Sequence, residues 1–164
     1  MLLSIAPHRR ALNLAGFGIC AALLAGAYYL EWVQGMEPCP LCIFQRLVFA
    51  ALAVVFLLGA CFGGGRIVAG LLAVTASGGV ALALRHLWLQ SLPPDQVPAC
   101  GPGLDYMLGA FPFWETVSMV LSGSGECAEV DRVLGLSIPW WTLAAFVVLG
   151  VVGTLLNLAR RRGA

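Results

Sequence analysis

The sequence predicts an all-α membrane protein: a four-transmembrane-helix bundle with a long outer loop carrying a short interfacial helix. Three observations predict it. The 164 residues are 60% hydrophobic and only 10% charged, with a mean hydropathy of +0.92. A soluble domain carries about 25% charged residues, so this chain has too little polar surface to cover a globule in water. Four apolar runs, at about residues 11–30, 43–62, 67–88 and 141–159, reach the ~20 residues that span a bilayer core of roughly 30 Å. The charges also separate by side. The nine basic residues are all Arg. Arg9, Arg10, Arg66, Arg160, Arg161 and Arg162 fall on one side of an alternating topology. All eight acids fall on the other, with Arg46, Arg85 and Arg132. Positive loops stay inside, which predicts cytoplasmic termini and a single membrane domain covering residues 1–164.

Each element has its own justification. The first run carries no charge. Ala25-Gly26-Ala27 mimics a signal-peptidase site, but the apolar run continues through Tyr28, Tyr29 and Leu30, which suits a retained span. A short outer loop follows at about 31–42. Gly63-Gly64-Gly65-Arg66 is a tight inner turn, so the second and third spans are antiparallel neighbours. Pro93-Pro94 forbids continuation of the third span. Small residues recur every fourth position at Gly18, Ala22 and Gly26 and at Ala69, Ala73, Ser77 and Ala81. Such stripes let membrane helices approach closely, although they also follow from simple Ala and Gly abundance. The long outer loop, about 89–140, is too rich in Pro and Gly to hold a large core. One piece of it is patterned: Phe113, Trp114, Val117, Val120 and Leu121 share a face, with Glu115, Thr116 and Ser118 opposite. That is a short amphipathic helix, lying in the bilayer interface or packed on its own loop.

Six cysteines carry the chemistry. Cys20 and Cys61 lie inside apolar runs and read as core residues. Cys39, Cys42, Cys100 and Cys127 face outward, into an oxidising periplasm if the cell is bacterial. The Cys39-Pro40-Leu41-Cys42 motif has three readings: redox couple, structural staple or zinc half-site. A CxxC loop closes too few residues to stabilise much by chain entropy, and zinc needs four ligands. The redox reading is favoured, with no metal expected. Pro40 suits the first helical position, which makes Cys39 the cap and places Cys42 in the first turn. A thiolate at Cys42 then gains from the helix dipole and from Arg46 one turn on. The bland reading of Arg46 is an anchor reaching for head groups. His86 and Arg85 sit at the same outward depth of the third span, on different faces of the helix. An ionisable residue in a span is a functional candidate; the alternative for His86 is an interfacial place beside Trp88. Cys100 lies in an irregular exposed stretch. Cys127 lies among Glu126 and Glu129, acids that disfavour its thiolate. Four outward cysteines permit three pairings. Pairing of neighbours, 39–42 and 100–127, is favoured, and a purely structural Cys100–Cys127 bond stays open.

These residues together resemble the DsbB family of bacterial inner-membrane disulfide bond formation proteins. The resemblance is carried by Pro38-Cys39-x-x-Cys42, Gln45-Arg46, His86, the loop cysteines Cys100 and Cys127, and Gly135-Leu136-x-x-Pro139-x-Trp141 before the last span. It covers about residues 11–160, and Gln45 stands where many members have an acid. It implies a protein-disulfide:quinone oxidoreductase of the inner membrane. The implied partner is a DsbA-like periplasmic thiol oxidase and the implied cofactor ubiquinone or menaquinone. The four cysteines would be catalytic, and Arg46 and His86 quinone-binding. The implied order is attack of the partner on Cys100, of released Cys127 on Cys39, and release of Cys42 toward the quinone. Oxidants of the DsbA kind stand near about −120 mV, whereas structural disulfides lie below about −300 mV. The disulfides of such an enzyme must therefore be destabilised relative to their thiols. Two rivals remain: a vitamin K epoxide reductase-like enzyme, in which the quinone-facing CxxC follows the loop pair instead of preceding it, and a non-enzymatic four-span scaffold with a stapled loop.

Overall fold

The structure is a computed structural model that describes residues 7–101 and 103–159. Arg160, Arg161 and Arg162, which contribute to the charge asymmetry, lie outside the described residues. Four long helices form the bundle: α1 (Pro7–Trp32), α2 (Pro40–Phe62), α3 (Arg66–Gln90) and α6 (Ile138–Leu158). All four are long and apolar enough to cross a membrane. α2 packs on α1 and α3, and α6 packs on α3 and, less extensively, on α1. The helices extend a little beyond the apolar runs, because Pro40 and Pro139 serve as first-turn residues and do not block the helix start.

The core is a column of side chains from all four helices. Phe49 and Phe146 stack with ring centroids 4.1 Å apart, and Leu52, Phe56, Leu72 and Cys20 surround them. Close approach is set by glycine: Gly79 lies against the Phe146 ring, and a side chain at Gly16 would meet the Phe56 ring. The predicted small-residue stripes are not the contact faces. Gly18, Ala22, Gly26, Ser77 and Ala81 are exposed, and only the start of the α3 stripe packs inward, with Ala69 buried and Ala73 half-buried; α1 buries Asn13, Gly16 and Cys20, and α3 goes on to bury Leu72, Ala76, Gly79 and Ala83. A strict four-residue repeat drifts round a helix of 3.6 residues per turn, so it cannot follow one face for long. Cys20 is in the core as expected. Cys61 is not: it lies on the exposed side of α2, opposite the face that buries Leu52, Phe56 and Gly59.

The inner turn between α2 and α3 uses positive φ at Gly63, Gly64 and Gly65 (93°, 70° and 120°), a backbone that glycine alone adopts without strain. A side chain on Gly64 would strike Asn157. Below this turn Asn13 of α1 and Asn157 of α6 form a reciprocal amide pair, at 3.3 and 3.1 Å. Each amide also donates to its own helix, Asn13 to the Arg9 carbonyl and Asn157 to the Gly153 carbonyl. This buried pair joins the first and last spans, whose direct packing is otherwise slight.

The outer loop is more ordered than its composition suggests. It holds α4 (Leu104–Ala110), α5 (Phe113–Ser122), a 3₁₀ turn (Gly125–Ala128) and an antiparallel hairpin of β1 (Arg132–Val133) and β2 (Leu136–Ser137). α5 coincides with the predicted amphipathic helix. Its faces differ from the prediction: the side packed on the protein is Thr116 and Val120, and the Thr116 hydroxyl donates to the Met107 carbonyl at 3.1 Å, tying α5 to α4. Phe113 and Trp114 point outward. A small second core of Leu41, Leu89, Met107, Val120, Cys39 and Cys127 joins the loop to the outer ends of α2 and α3. Arg85 secures the arrangement. It donates to the Leu121 and Ser122 carbonyls at the end of α5 and lies over the Trp88 ring.

Replacing Asn157 with Ala leaves the Asn13 amide without its partner in an apolar surround. The expected cost is about 1–2 kcal/mol, read as a lower unfolding midpoint of the purified protein in detergent. An unchanged midpoint would show that the pair contributes nothing to the bundle.

Candidate functional site

The site is built on the first turn of α2, whose backbone N–H groups have no partners within the helix. Cys39 is the cap, with φ −64° and ψ 160°, and its sulfur accepts the Cys42 N–H at 3.3 Å. The Cys39 carbonyl accepts the Ile43 N–H at 3.1 Å and starts the helix. Cys127, carried by the 3₁₀ turn, packs beside Leu41 and Cys39 at this helix start. The Cys39 sulfur thus does what a Ser or Asp side chain does at an ordinary helix start. The expected division, Cys39 as cap and Cys42 in the first turn, holds.

The thiols form a chain. Cys39 donates to Cys42 across 3.0 Å, and Cys127 packs with Cys39 in the same small core, close enough that each thiol shifts the titration of the other. The contact with Cys39 and burial together push the Cys127 thiol up. Its acidic neighbours Glu126 and Glu129 are not the cause. The Cys127 contact draws the Cys39 thiol down, but donation to Cys42 and burial outweigh it and push Cys39 up to about 12. Cys39 and Cys127 are buried and Cys42 half-buried. Cys100 is exposed, with its sulfur beside Gly125, two residues before Cys127. The structure therefore gathers Cys39, Cys42 and Cys127 at one point, with Cys100 on the loop surface next to them.

His86 and Arg85 do lie on different faces of α3. His86 is 3% exposed and faces the cysteines, with Nε2 3.9 Å from the Cys39 sulfur. Its Nδ1 is 3.4 Å from the amide nitrogen of Gln45. Arg46 is on the same side of α2 as Cys42, but it does not reach for head groups. It forms an ion pair with Glu31, donates to the Ala27 carbonyl at 3.1 Å and lies over the Tyr28 ring. Glu31 and Gln45 are the site residues that the motif reading left without a role. Glu31 had a signal: it is the first acid after the first span, at the depth of Arg46.

A cavity of about 650 Å³ opens between α1 and α2, lined by Cys39, Cys42, Gln45, Arg46, Phe49 and His86. Leu23, Leu24, Leu30 and Ile43 supply apolar walls. The pocket thus joins an apolar slot to one guanidinium, one imidazole and a reactive sulfur. Glu37, Glu126, Glu129 and Asp131 stand on its wall as well, so the cavity suits an apolar molecule that carries hydrogen-bonding groups. Cys39, Cys42 and His86 hold their donor atoms within 4.8 Å of one another, three donors where a closed zinc site takes four.

The chain matches the family described as Disulfide bond formation protein DsbB over residues 9–156. Similar proteins named Disulfide bond formation protein B include one from Hahella chejuensis, 57% identical over 77% of this chain and 80% of its own. One from Chromohalobacter salexigens is 48% identical over 91% of both chains. One from Marinobacter nauticus is 52% identical over 88% of this chain and 89% of its own.

The contact between Cys127 and Cys39 is testable without any partner. With Cys42 and Cys100 both replaced by Ser, mild oxidation should close a Cys39–Cys127 disulfide in most molecules. Peptide mapping under non-reducing conditions reads it; failure to form the bond would contradict the sulfur chain.

Proposed function

Because the chain belongs to the DsbB family of disulfide bond formation proteins, we propose that it is a quinone-dependent thiol oxidase. It reoxidises a periplasmic thioredoxin-like dithiol protein of the DsbA kind and passes the electrons to ubiquinone or menaquinone. Both termini lie in the cytoplasm and the four reactive cysteines on the periplasmic side, as the charge asymmetry argues. The exposed Phe113–Trp114 edge of α5 then rests at the bilayer interface, where such aromatics are favoured.

The observation that carries this reading is the sulfur chain from Cys127 through Cys39 to Cys42, ending at an apolar cavity edged by Arg46 and His86. In the working enzyme two disulfides are present, Cys39–Cys42 and Cys100–Cys127. A thiolate of the partner attacks Cys100, the exposed member, and the electron pair of the broken bond leaves on Cys127. Cys127 already faces Cys39 and attacks it, and the pair now leaves on Cys42. The Cys42 thiolate stands at the start of α2, where the helix dipole favours it, with the Arg46 guanidinium on the same cavity wall. A quinone bound there supplies a two-electron acceptor. The second thiolate of the partner displaces Cys100, which attacks Cys127 and releases Cys39. Cys39 then re-forms its bond with Cys42, the two electrons released by the two thiolates going to the quinone that would be bound there, which would leave as the quinol, and both pairs are closed again. The seat of each disulfide favours its thiols: the α2 start stabilises a Cys42 thiolate, and the contact with Cys39 stabilises the Cys127 thiol. A disulfide so placed oxidises its partner more strongly than a structural staple would.

Purified protein should reduce a quinone when mixed with the reduced dithiol partner, and Cys42→Ser should abolish this. A Cys42→Ser protein with full function would instead support a scaffold. Arg46→Ala should slow quinone reduction by about tenfold or more, the scale of a lost charge-assisted contact, while Cys100 still forms a mixed disulfide with the partner. Loss of that mixed disulfide would make Arg46 structural. Cys20→Ala and Cys61→Ala should keep the activity, since neither sulfur touches the chain of thiols; loss in either would reveal a further redox role.

A further inference from the structure

Gln45 is buried at 2% exposure inside an apolar helix, and its amide nitrogen faces His86 Nδ1 at 3.4 Å. A buried amide in a span is costly unless it has a partner. An amide nitrogen only donates, so the ring atom facing it is the acceptor, and the proton of the neutral imidazole sits on Nε2. The contact at the other ring nitrogen fits that tautomer. Nε2 lies 3.9 Å from the Cys39 sulfur.

We propose that Gln45 is a positioning residue: it holds His86 so that Nε2–H faces the Cys39 sulfur and stabilises Cys39 each time it leaves as a thiolate. The step in question is the attack of Cys100 on Cys127. The Cys39–Cys127 bond breaks, the Cys100–Cys127 bond forms, and the electron pair stays on Cys39. No other oxidant or reductant takes part. Cys39 is buried, and a buried thiolate needs a donor aimed at it. Cys42 cannot be that donor, because at this stage it is engaged at the cavity. The titratable groups around Cys39 are Cys42 on α2, His86 on α3 and Cys127 on the outer loop, with Glu37, Glu126, Glu129 and Asp131 on the wall of the same cavity. Arg46, ion-paired with Glu31, stands one helical turn from Cys42 and two from Cys39. The His86 donor is therefore the group able to answer the charge on Cys39.

The inference rests on the exchange sequence above, but its test does not use that sequence. The fully reduced, full-length protein is alkylated with iodoacetamide across the thiol titration range, and modification of Cys39 is read by peptide mass mapping. Gln45→Met, which removes the donor with little change of volume, and His86→Ala should each raise the midpoint for Cys39 by about one pH unit, a tenfold loss of thiolate at a given pH. The double variant should shift no further than His86→Ala alone, because both act through one ring. Gln45→Glu should stay near the parent, since its carboxylate holds the ring as imidazolium and keeps the Nε2 proton. A midpoint that Gln45→Met leaves in place, additive shifts in the double variant, or a Gln45→Glu protein that shifts like Gln45→Met would each overturn the proposal. Gln45→Leu gives the same reading if Gln45→Met does not fold. A parent protein that fails to reduce quinone overturns the oxidase reading; an unmoved midpoint beside a working oxidase overturns only the role of Gln45.

Discussion

The structure turns on how the first turn of α2 finds partners for its backbone. A helix that starts beside a bilayer leaves N–H groups that water or side chains must satisfy. Here the Cys39 sulfur takes the Cys42 N–H, and Cys127, from the outer loop, packs against the same turn. The outer loop is consequently not a free tether. Its 3₁₀ turn is seated on the bundle by Cys127, its α5 by Arg85, and its small core by Leu41, Leu89 and Val120. The same contacts that complete the helix start bring two separate pairs of cysteines into exchange distance.

Burial has opposite meanings in the two parts of the molecule. Within the bundle, much apolar surface stays exposed: Val54, Phe62, Ile67 and Val74 all face outward. Lipid offers no hydrophobic penalty for this, so the helices are held by close packing at glycines and by polar pairs such as Asn13–Asn157 and Arg46–Glu31. At the outer end the buried groups include the thiols of Cys39 and Cys127, and burial there raises the cost of a thiolate. The helix start, Arg46 and His86 are the groups that offset that cost, each near a different point of the sulfur chain.

Much of this was legible in the chain itself. The four spans, the inner glycine turn, α5 and the capping role of Cys39 follow from local rules: run length, proline at the first helical position, and the 3.6-residue period. The opposite faces of Arg85 and His86 follow from the same period. The misreadings share a cause. The small-residue stripes, the place of Cys61 and the burial of Thr116 all depend on which face of a helix meets which neighbour, and a repeat in the sequence does not carry that. α4 and the hairpin are too short to leave a periodic signal.

By itself, then, the sequence determined the membrane architecture and the family, because hydropathy and motif spacing are local properties. Only the tertiary structure decided that Cys127 meets Cys39, that Arg46 pairs with Glu31 and that Gln45 faces His86. Each of these joins residues from different helices or from a loop to a helix. Their meeting is set by the packing of four spans and one folded loop, which no stretch of the chain encodes alone.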